Sequence, residues 1–126
     1  DIPVEIYGNG KNIRDWIHVD DHNEAILAIL NNKFKTSKFN IGSSNEYRNI
    51  DILDKIEQIM KEDFGINKKF QRIFIEDRKG HDYRYAINSD STASELQWHP
   101  KIDFESGLKS TINWYINNPS WFDKIK

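Results

Sequence analysis

The sequence contains no cysteine, so disulfides and thiolate-bound metals play no part in its fold or its chemistry. It has no apolar run near the length of a membrane-spanning helix, and no recognisable signal peptide. Neither sign of charge dominates, because 18 basic and 20 acidic residues give a net charge of -2 without a basic run. That balance gives no reason to expect nucleic acid or a membrane surface as a partner.

What remains is a chain of 126 residues, long enough for a single hydrophobic core but short for a complete cofactor-dependent enzyme. We therefore predict one domain over residues 1–126. The chain opens at Asp1 rather than at methionine, as a trimmed or processed part of a larger protein would. Short β-prone runs alternate with helical patterns, which is typical of an α/β fold rather than a helical bundle or a β-sandwich.

Periodicity and turn residues predict the individual elements. A first helix begins at Asp20 or Asp21, and a second carries an apolar stripe from Ile50 to Met60 and ends at Gly65. The other predicted elements are strands at 3–7, 16–19, 38–41, 70–75 and 85–87, a short helix at 91–96 and a final helix at 104–115. The order of the strands does not follow from the pattern.

One segment near the start of the chain carries the most functional information. Gly8 and Gly10 loosen the backbone shortly before Arg14, which precedes an aromatic and apolar run. Arginine presents a planar fork of donors that matches phosphate oxygens, and glycine lets a ligand approach the backbone closely. The segment therefore predicts a site for an anion or a phosphate. The alternative is an ordinary ion pair between Arg14 and a neighbouring aspartate, Asp15 or Asp20.

The same segment contains two sequence patterns that are typical of nicotinamide-dependent enzymes, but neither occurs in the local structure that its function requires. Tyr7 and Lys11 have the Tyr-x-x-x-Lys spacing of the short-chain dehydrogenases. The two glycines between them disfavour the helix that must carry such a pair, by about 1 kcal/mol each. Gly8-x-Gly10 is followed by Ile13 where a dinucleotide fingerprint needs its third glycine. We therefore expect neither a nicotinamide cradle nor a catalytic residue in this chain.

Four neighbouring side chains resemble a set of metal ligands: His18, Asp20, Asp21 and His22. His18 precedes the predicted helix, however, and His22 lies in its first turn, so the two histidines do not share a helix face. An aspartate at this position caps a helix by accepting backbone N–H groups, and the helix dipole favours its charge. We expect Asp20 or Asp21 to be a helix cap and predict no metal site.

A second polar segment, residues 76–85, supports the anion hypothesis. Arg78 and His81 are three residues apart, and Gly80 gives the backbone freedom to bring both side chains onto one ligand. The alternative is a solvated, charge-rich loop without a ligand. Asn49 stands just before the second helix, where an amide caps the helix or bonds a sugar hydroxyl or phosphate beside the helix dipole.

Together these segments resemble the C-terminal part of the dTDP-glucose 4,6-dehydratases, which are extended short-chain dehydrogenases/reductases. The family's Y-G-x-G-x-x-x-R-D-W motif is matched at residues 7–16, and its N-I-G motif at 40–42. Its R-P-G-H-D-x-R-Y-A-I loop is matched at 78–87, with Lys79 in place of proline. Gln97 stands where the family commonly has glycine. The resemblance covers essentially the whole chain.

The resemblance implies a role for each candidate residue in a nucleotide-sugar site. Arg14 and Arg78 would hold the diphosphate, and Tyr7 would line the thymine pocket. Asn49 would contact the nucleotide portion, and His81 its base or ribose. These roles agree with the anion site that the residue types predict, and they supply the identity of the ligand.

For the whole enzyme, the resemblance implies an NAD-dependent reaction that oxidises C4 of the sugar, eliminates water across C5 and C6, and returns the hydride to C6. The NAD-binding Rossmann domain would lie outside this chain, which would be a small substrate-binding α/β domain, inactive alone. The parent enzyme would be cytoplasmic and homodimeric. Two alternatives stay open: the equivalent part of another sugar-nucleotide epimerase or decarboxylase, and a non-catalytic nucleotide-sugar-binding module.

Overall fold

The computed structural model describes residues 2–34 and 38–124. Helices and strands alternate within these ranges, and the predicted α/β class is confirmed. In chain order the elements are β1 (Val4–Tyr7), β2 (Ile13–Asp15), α1 (Val19–Leu30), β3 (Glu46–Arg48), α2 (Asn49–Phe64), β4 (Arg72–Ile75), α3 (Asp90–Leu96) and α4 (Phe104–Asn117), with a 3-10 helix at Pro119–Lys124. None of the helices in the described ranges combines the length and apolarity needed to cross a lipid bilayer.

The strands pair in two small sheets. β1 runs parallel to β4, with Tyr7 beside Ile75 at the carboxyl end of both strands. β2 runs antiparallel to β3, with Arg14 beside Tyr47. Tyr7 and Arg14, both singled out from the sequence, therefore lie on strands of different sheets.

The backbone of Ile13 brings the loop after β4 against β2. Its N–H donates to the carbonyl oxygen of Tyr83 at 2.7 Å, and its carbonyl oxygen accepts from the N–H of Tyr85 at 3.1 Å. The loop of residues 76–83 is therefore held by β4 at one end and by β2 at the other. This closure places the loop beside Arg14.

The predicted strands near 3–7 and 70–75 are confirmed, but those at 16–19, 38–41 and 85–87 are wrong. The apolar run at 16–19 that suggested a strand lines a cavity together with α4 and pairs with no strand of the described ranges. β2 and β3 are short and half-exposed, and their pairing with each other holds them in place. Strand preference depends on such neighbours, so the local sequence did not reveal them.

The start of α1 also differs from the prediction. His18 is the N-cap, and its Nδ1 accepts a hydrogen bond from the backbone N–H of Asp20 at 3.2 Å. Asp21 is 2% exposed, and its carboxylate accepts from the N–H groups of Lys101 at 3.1 Å and Ile102 at 2.9 Å. Asp21 therefore ties α1 to the connection between α3 and α4. The prediction that Asp20 or Asp21 caps α1 is wrong.

The helical predictions agree better with the structure. Gly65 ends α2 with a φ of 67°, the left-handed conformation that glycine adopts without a steric cost. α3 and α4 lie within about two residues of their predicted positions. Apolar side chains that are buried in the described ranges come from β1, α1, α2, α4 and the segment after α3: Ile6, Ala25, Ile52, Ile59, Trp98 and Ile112.

One face of α1 carries exposed apolar side chains. Val19, Ile26 and Leu30 recur at helical spacing and are 60%, 37% and 72% exposed. Phe74 on β4 is 58% exposed. Apolar surface of this kind is typical of a site where another protein segment binds.

Candidate functional site

Four of the five residues predicted from the sequence converge in one place, which we call the anion site: Tyr7, Arg14, Arg78 and His81. An Nη2 atom of Arg14 lies 2.9 Å from Nε2 of His81, and Nη2 of Arg78 lies 3.1 Å from the same nitrogen. The two guanidinium groups come from β2 and from the loop after β4, so the closure of that loop brings them together.

Aromatic rings hold both guanidinium groups in position. The Arg78 guanidinium carbon lies 4.7 Å from the centre of the Tyr7 ring, and that of Arg14 lies 4.5 Å from the centre of the Tyr85 ring. Contacts of this kind fix the plane of a guanidinium group without neutralising its charge. Tyr7 also meets the His81 ring edge-on at 6.2 Å. The aromatic side chains therefore orient the two cations towards a common point.

The side chain of His81 is buried within the site, with only 7% of it exposed. Its Nδ1 lies 2.6 Å from Oδ1 of Asp77, so a proton on Nδ1 donates to that carboxylate. We infer from these partners that Nε2 carries the lone pair, because both of its neighbours are arginine donors. The hydrogen bond from His81 lowers the pKa of Asp77 below its ordinary value, which keeps this carboxylate charged.

Neither arginine of the anion site forms an ion pair with a carboxylate among the described residues. Arg14 instead donates to the carbonyl oxygens of Ile13 at 2.6 Å and Asp82 at 3.0 Å. The alternative of an ion pair with Asp15 is wrong, since that carboxylate accepts hydrogen bonds from residues 43–45. Asp20 lies near His18 instead.

The three other arginines of the chain each face a carboxylate. Arg48 pairs with Asp51, Arg72 with Asp54 and Glu57, and Arg84 with Glu46. Two adjacent cations without an internal partner repel each other unless an anion lies between them. The contrast therefore marks Arg14 and Arg78, among all the arginines, as the pair suited to an anionic ligand.

Asn12 is a member of this neighbourhood that the sequence did not indicate. It is 5% exposed, and its amide nitrogen lies 3.3 Å from the carbonyl oxygen of Asp82 and 3.3 Å from Nδ1 of His81. Its own carbonyl oxygen accepts from the N–H of Asn49 at 3.1 Å. Asn12 therefore joins the loop after β4 to the start of α2. An asparagine in a glycine-rich turn carries no local signal of such a role.

Asn49, the fifth predicted residue, is linked to the anion site only by a backbone hydrogen bond to Asn12. It is the first residue of α2, and its N–H donates to Asn12. Its side-chain amide makes no hydrogen bond within the part of the chain that the structure describes. The amide is therefore free to bond a ligand, but the structure does not bring it into contact with the two arginines.

The residues near Gly8 and Gly10 do not fit a nicotinamide cofactor. Both glycines have positive φ values, 56° and 70°, and a Cβ on either would meet the chain itself, at 2.9 Å from Asp77 and 2.8 Å from Ile6. The turn leads into β2 rather than into a helix, so it lacks the strand–turn–helix frame of a dinucleotide site. This turn therefore does not form a cradle for the cofactor.

The short-chain dehydrogenase spacing has no catalytic geometry either. Tyr7 ends β1 and Lys11 lies after the following turn, so the two do not share a helix face. Within residues 2–34 and 38–124, no group of three or more histidine, aspartate or glutamate side chains is arranged to hold a metal ion.

The anion site is distinguished by its charges rather than by its depth. A cavity of about 820 Å³ lies elsewhere, between residues 16–20 and α4, and none of the four anion-site residues lines it. Its walls are mainly apolar and aromatic, and they include Phe104, Trp114 and Trp121. The cavity therefore does not suit a phosphate.

The sequence matches the family model described as GDP-mannose 4,6 dehydratase over residues 3–111. The chain belongs to this family. The chain is also 39% identical over 125 residues to a dTDP-glucose 4,6-dehydratase of Escherichia coli. That match covers 98% of the chain but only 35% of the relative, so the chain spans about a third of that protein's length.

Solved structures of dTDP-glucose 4,6-dehydratases agree with the family assignment. The enzyme of Bacillus anthracis, solved in complex with NAD, has a TM-score of 0.77 at 37% identity. The enzyme of Streptomyces venezuelae, solved with NAD and a second ligand, has a TM-score of 0.83 at 30% identity. Both matches cover 98% of this chain, and 38% and 37% of those chains respectively. The chain therefore has the fold of a portion of these dehydratases, as the resemblance implied.

Proposed function

We propose that this chain is the substrate-binding part of a dTDP-glucose 4,6-dehydratase and that it holds the dTDP moiety of dTDP-glucose. The observation that carries the proposal is the convergence of the Arg14 and Arg78 guanidinium groups on one point, without a carboxylate partner for either. A diphosphate supplies two adjacent anionic groups, and each of them can accept a bidentate pair of hydrogen bonds from one arginine fork.

The remaining predicted residues surround that point in a way that suits a nucleotide. In the proposal the half-exposed ring of Tyr7 lines the pocket of the thymine base, beside the arginine that it stacks against. The amide of Asn49, at the first turn of the 16-residue helix α2, contacts the nucleotide portion. His81 contacts both arginines, so in the proposal it lies beside the diphosphate as well as near the base or ribose.

In this proposal the chain contributes binding rather than chemistry. NAD belongs to the parent enzyme, and since the described residues do not fit it, we assign it to a part of the protein outside this sequence. Binding of the nucleotide, remote from the reacting carbon atoms, positions the sugar for a reaction that other residues perform. The chain alone is therefore expected to bind dTDP weakly and to have no dehydratase activity. The parent enzyme is proposed to be a cytoplasmic homodimer.

The competing assignments differ in the nucleotide or in the partner. The equivalent part of a UDP-sugar epimerase or decarboxylase would prefer UDP, whereas the Gly-His-Asp-x-Arg-Tyr sequence of residues 80–85 favours the dehydratases. A free-standing binding module would function without a catalytic domain. Competition between dTDP and UDP for the protein distinguishes a dehydratase from a UDP-sugar enzyme. The coding sequence upstream of Asp1 distinguishes both from a free-standing binding module.

Titration calorimetry with dTDP tests the proposed site. Replacing Arg14 with alanine removes one of the two forks, so we expect binding to weaken by about 2 kcal/mol, roughly thirtyfold. Arg84→Ala is the matched control, because it removes the same charge from a nearby side chain that is paired with Glu46. It should leave dTDP affinity unchanged. Equal affinity of Arg14→Ala and the parent chain, or no binding by the parent chain at all, would contradict the proposal.

A further inference from the structure

The most informative atom of the anion site is Nε2 of His81, because both arginines donate to it. One lone pair on a neutral imidazole receives N–H groups of Arg14 at 2.9 Å and Arg78 at 3.1 Å. A ligand anion that takes over these donors must also change the environment of the imidazole, whose side chain is 7% exposed. The resemblance to the family implies a contact of His81 with the base or ribose, and the contacts with the two arginines suggest a further role at the diphosphate.

The groups that face His81 come from every element packed around it. Arg14 approaches from β2, the Tyr7 ring from β1, and Arg78 and Asp77 from its own loop. The uncharged amide of Asn12 lies beside Nδ1. Nε2 thus faces two N–H donors and no acceptor among the described residues, so a proton on it would have no hydrogen-bond partner. On the opposite side of the ring, the Asp77 carboxylate is placed to stabilise an imidazolium.

A bound diphosphate supplies the missing acceptor. It brings at least two negative charges to the point where the guanidinium groups meet, so an N–H on Nε2 gains a hydrogen-bond partner there. The arginine N–H groups turn from Nε2 to phosphate oxygens, and the freed lone pair accepts a proton from solvent. The resulting Nε2–H then donates to a phosphate oxygen, while Nδ1–H continues to donate to Asp77.

We propose that His81 is a positioning residue that orients Arg14 and Arg78 through its Nε2 lone pair and takes up a proton when the diphosphate binds. This inference rests on the proposed function, because it requires a diphosphate at the anion site. It makes binding dependent on pH in one direction: acidification towards the range in which histidine titrates strengthens binding.

Calorimetry of the complete chain with dTDP-glucose measures the proton directly. Each phosphate of this ligand carries one ester and one anhydride linkage and keeps a single, strongly acidic oxygen. The ligand therefore exchanges no proton near neutral pH, and any proton taken up enters the protein. Titrations in buffers of different ionisation enthalpy should give a heat that varies linearly with that enthalpy, with a slope of up to about one proton per ligand. Nitrogen NMR of His81 should change from a neutral ring protonated at Nδ1 to a ring protonated at both nitrogens.

Two substitutions test whether the proton taken up on binding enters His81. His81→Gln retains a polar side chain but cannot be protonated, so the buffer dependence should disappear while measurable binding persists. His99→Gln is the matched control, since His99 is exposed and lies outside the anion site, and it should retain the full slope.

Binding by the parent chain with no dependence on the buffer would overturn the role of His81 and leave the proposed function intact. A slope that survives His81→Gln would do the same. Absence of binding by the parent chain would overturn both.

Discussion

The anion site uses its charged side chains in the opposite way to the Asp21 anchor, which is Asp21 with the backbone of Lys101 and Ile102. The Asp21 carboxylate is 2% exposed, and both of its oxygens accept N–H groups of the chain itself. The guanidinium groups of Arg14 and Arg78 meet at a single imidazole nitrogen and form no ion pair with a carboxylate within the described residues. Charge that the chain satisfies internally stabilises the fold, whereas charge without an internal counter-ion is available to a ligand.

The two regions also differ in what they connect. The Asp21 anchor joins α1 to the connection between α3 and α4, eighty residues further along the chain. The anion site joins loops and short strands, and its backbone is held by hydrogen bonds that do not involve the arginine side chains. Substitutions in the anchor should therefore change stability, and substitutions in the site should change binding.

The largest effect is expected at the anchor. Asp21→Asn keeps one acceptor oxygen and leaves a buried N–H group without its partner, so the free energy of unfolding should fall by about 2–3 kcal/mol. Urea denaturation measures the change. Asp20→Asn is the control, because the side chain of Asp20 is 75% exposed, and it should change stability by no more than about 0.5 kcal/mol. A similar loss in both variants would remove the distinction between anchor and surface.

The second effect concerns the arginine fork. Arg78→Lys keeps the charge but loses the planar pair of donors, so dTDP affinity should fall by about tenfold while the unfolding free energy stays within about 0.5 kcal/mol. Calorimetry and urea denaturation of the same samples measure the two quantities. Arg84→Lys makes the same change in a side chain paired with Glu46 and should alter neither. Loss of stability without loss of affinity in Arg78→Lys would show that the site is structural.

A third, smaller effect is expected from backbone strain at the end of α3, outside the anion site. Gln97 ends α3 with a φ of 49° and a ψ of 41°, a left-handed conformation that is costly for residues with a Cβ. Gln97→Gly should stabilise the protein by about 0.5–1 kcal/mol, measured as an increase in the unfolding free energy.

Gly65→Ala is the reciprocal control for that backbone strain. Gly65 has a φ of 67° and no atom within 4 Å of an added Cβ, so alanine there should destabilise by about 1 kcal/mol through conformation alone. If neither substitution changes the unfolding free energy, the left-handed helix ends are not strained. In either case dTDP binding should be unaffected, because both positions lie outside the anion site.

The smallest effect is a pH dependence away from the ligand site. Glu57 accepts the N–H of Phe70 at 2.7 Å and pairs with Arg72 at 2.9 Å, and these contacts lower its pKa below the ordinary value of 4.5. A lowered pKa contributes stability that is fully present above the ordinary value and is lost as the pH falls through the folded-state value.

Denaturation at a series of pH values below about 5 measures that loss. Glu57→Gln should show a shallower dependence of the unfolding free energy on pH than the parent chain. Glu5→Gln, at an exposed position of β1, should keep the parent's dependence. Parallel curves for the parent and Glu57→Gln would show that the contacts of Glu57 do not contribute to stability.

Local chemistry explains what could be predicted from the sequence. The apolar stripe of α2 and the glycine after it depend on neighbouring residues alone, and both appear as expected. The fork of Arg14 and the motif around His81 could likewise be interpreted as parts of an anion site from residue type and spacing. The pairing of Arg14 with Asp15 was an equally reasonable local alternative, and only the contacts of Asp15 with residues 43–45 exclude it.

Long-range contacts explain what could not be predicted. β2 and β3 lack a strong strand pattern and exist because they pair across thirty or more residues. Asn12 became part of the site only because the loop after β4 folds back onto it. His18 is the helix cap because α1 begins at Val19, which places Asp20 and Asp21 inside its first turn. The Asp21 carboxylate accepts instead from the backbone of Lys101 and Ile102.

By itself the sequence determined the α/β class, the end of α2, the positions of α3 and α4, and the residue types suited to an anion, because these depend on local periodicity and on the chemistry of single side chains. The tertiary structure alone decided which charges are satisfied internally. It directed Asp21 and Asp15 to backbone donors of distant segments and brought Arg14 and Arg78 to one imidazole nitrogen. The physical reason is that a charged group's role depends on its neighbours in space, and those neighbours lie tens of residues away.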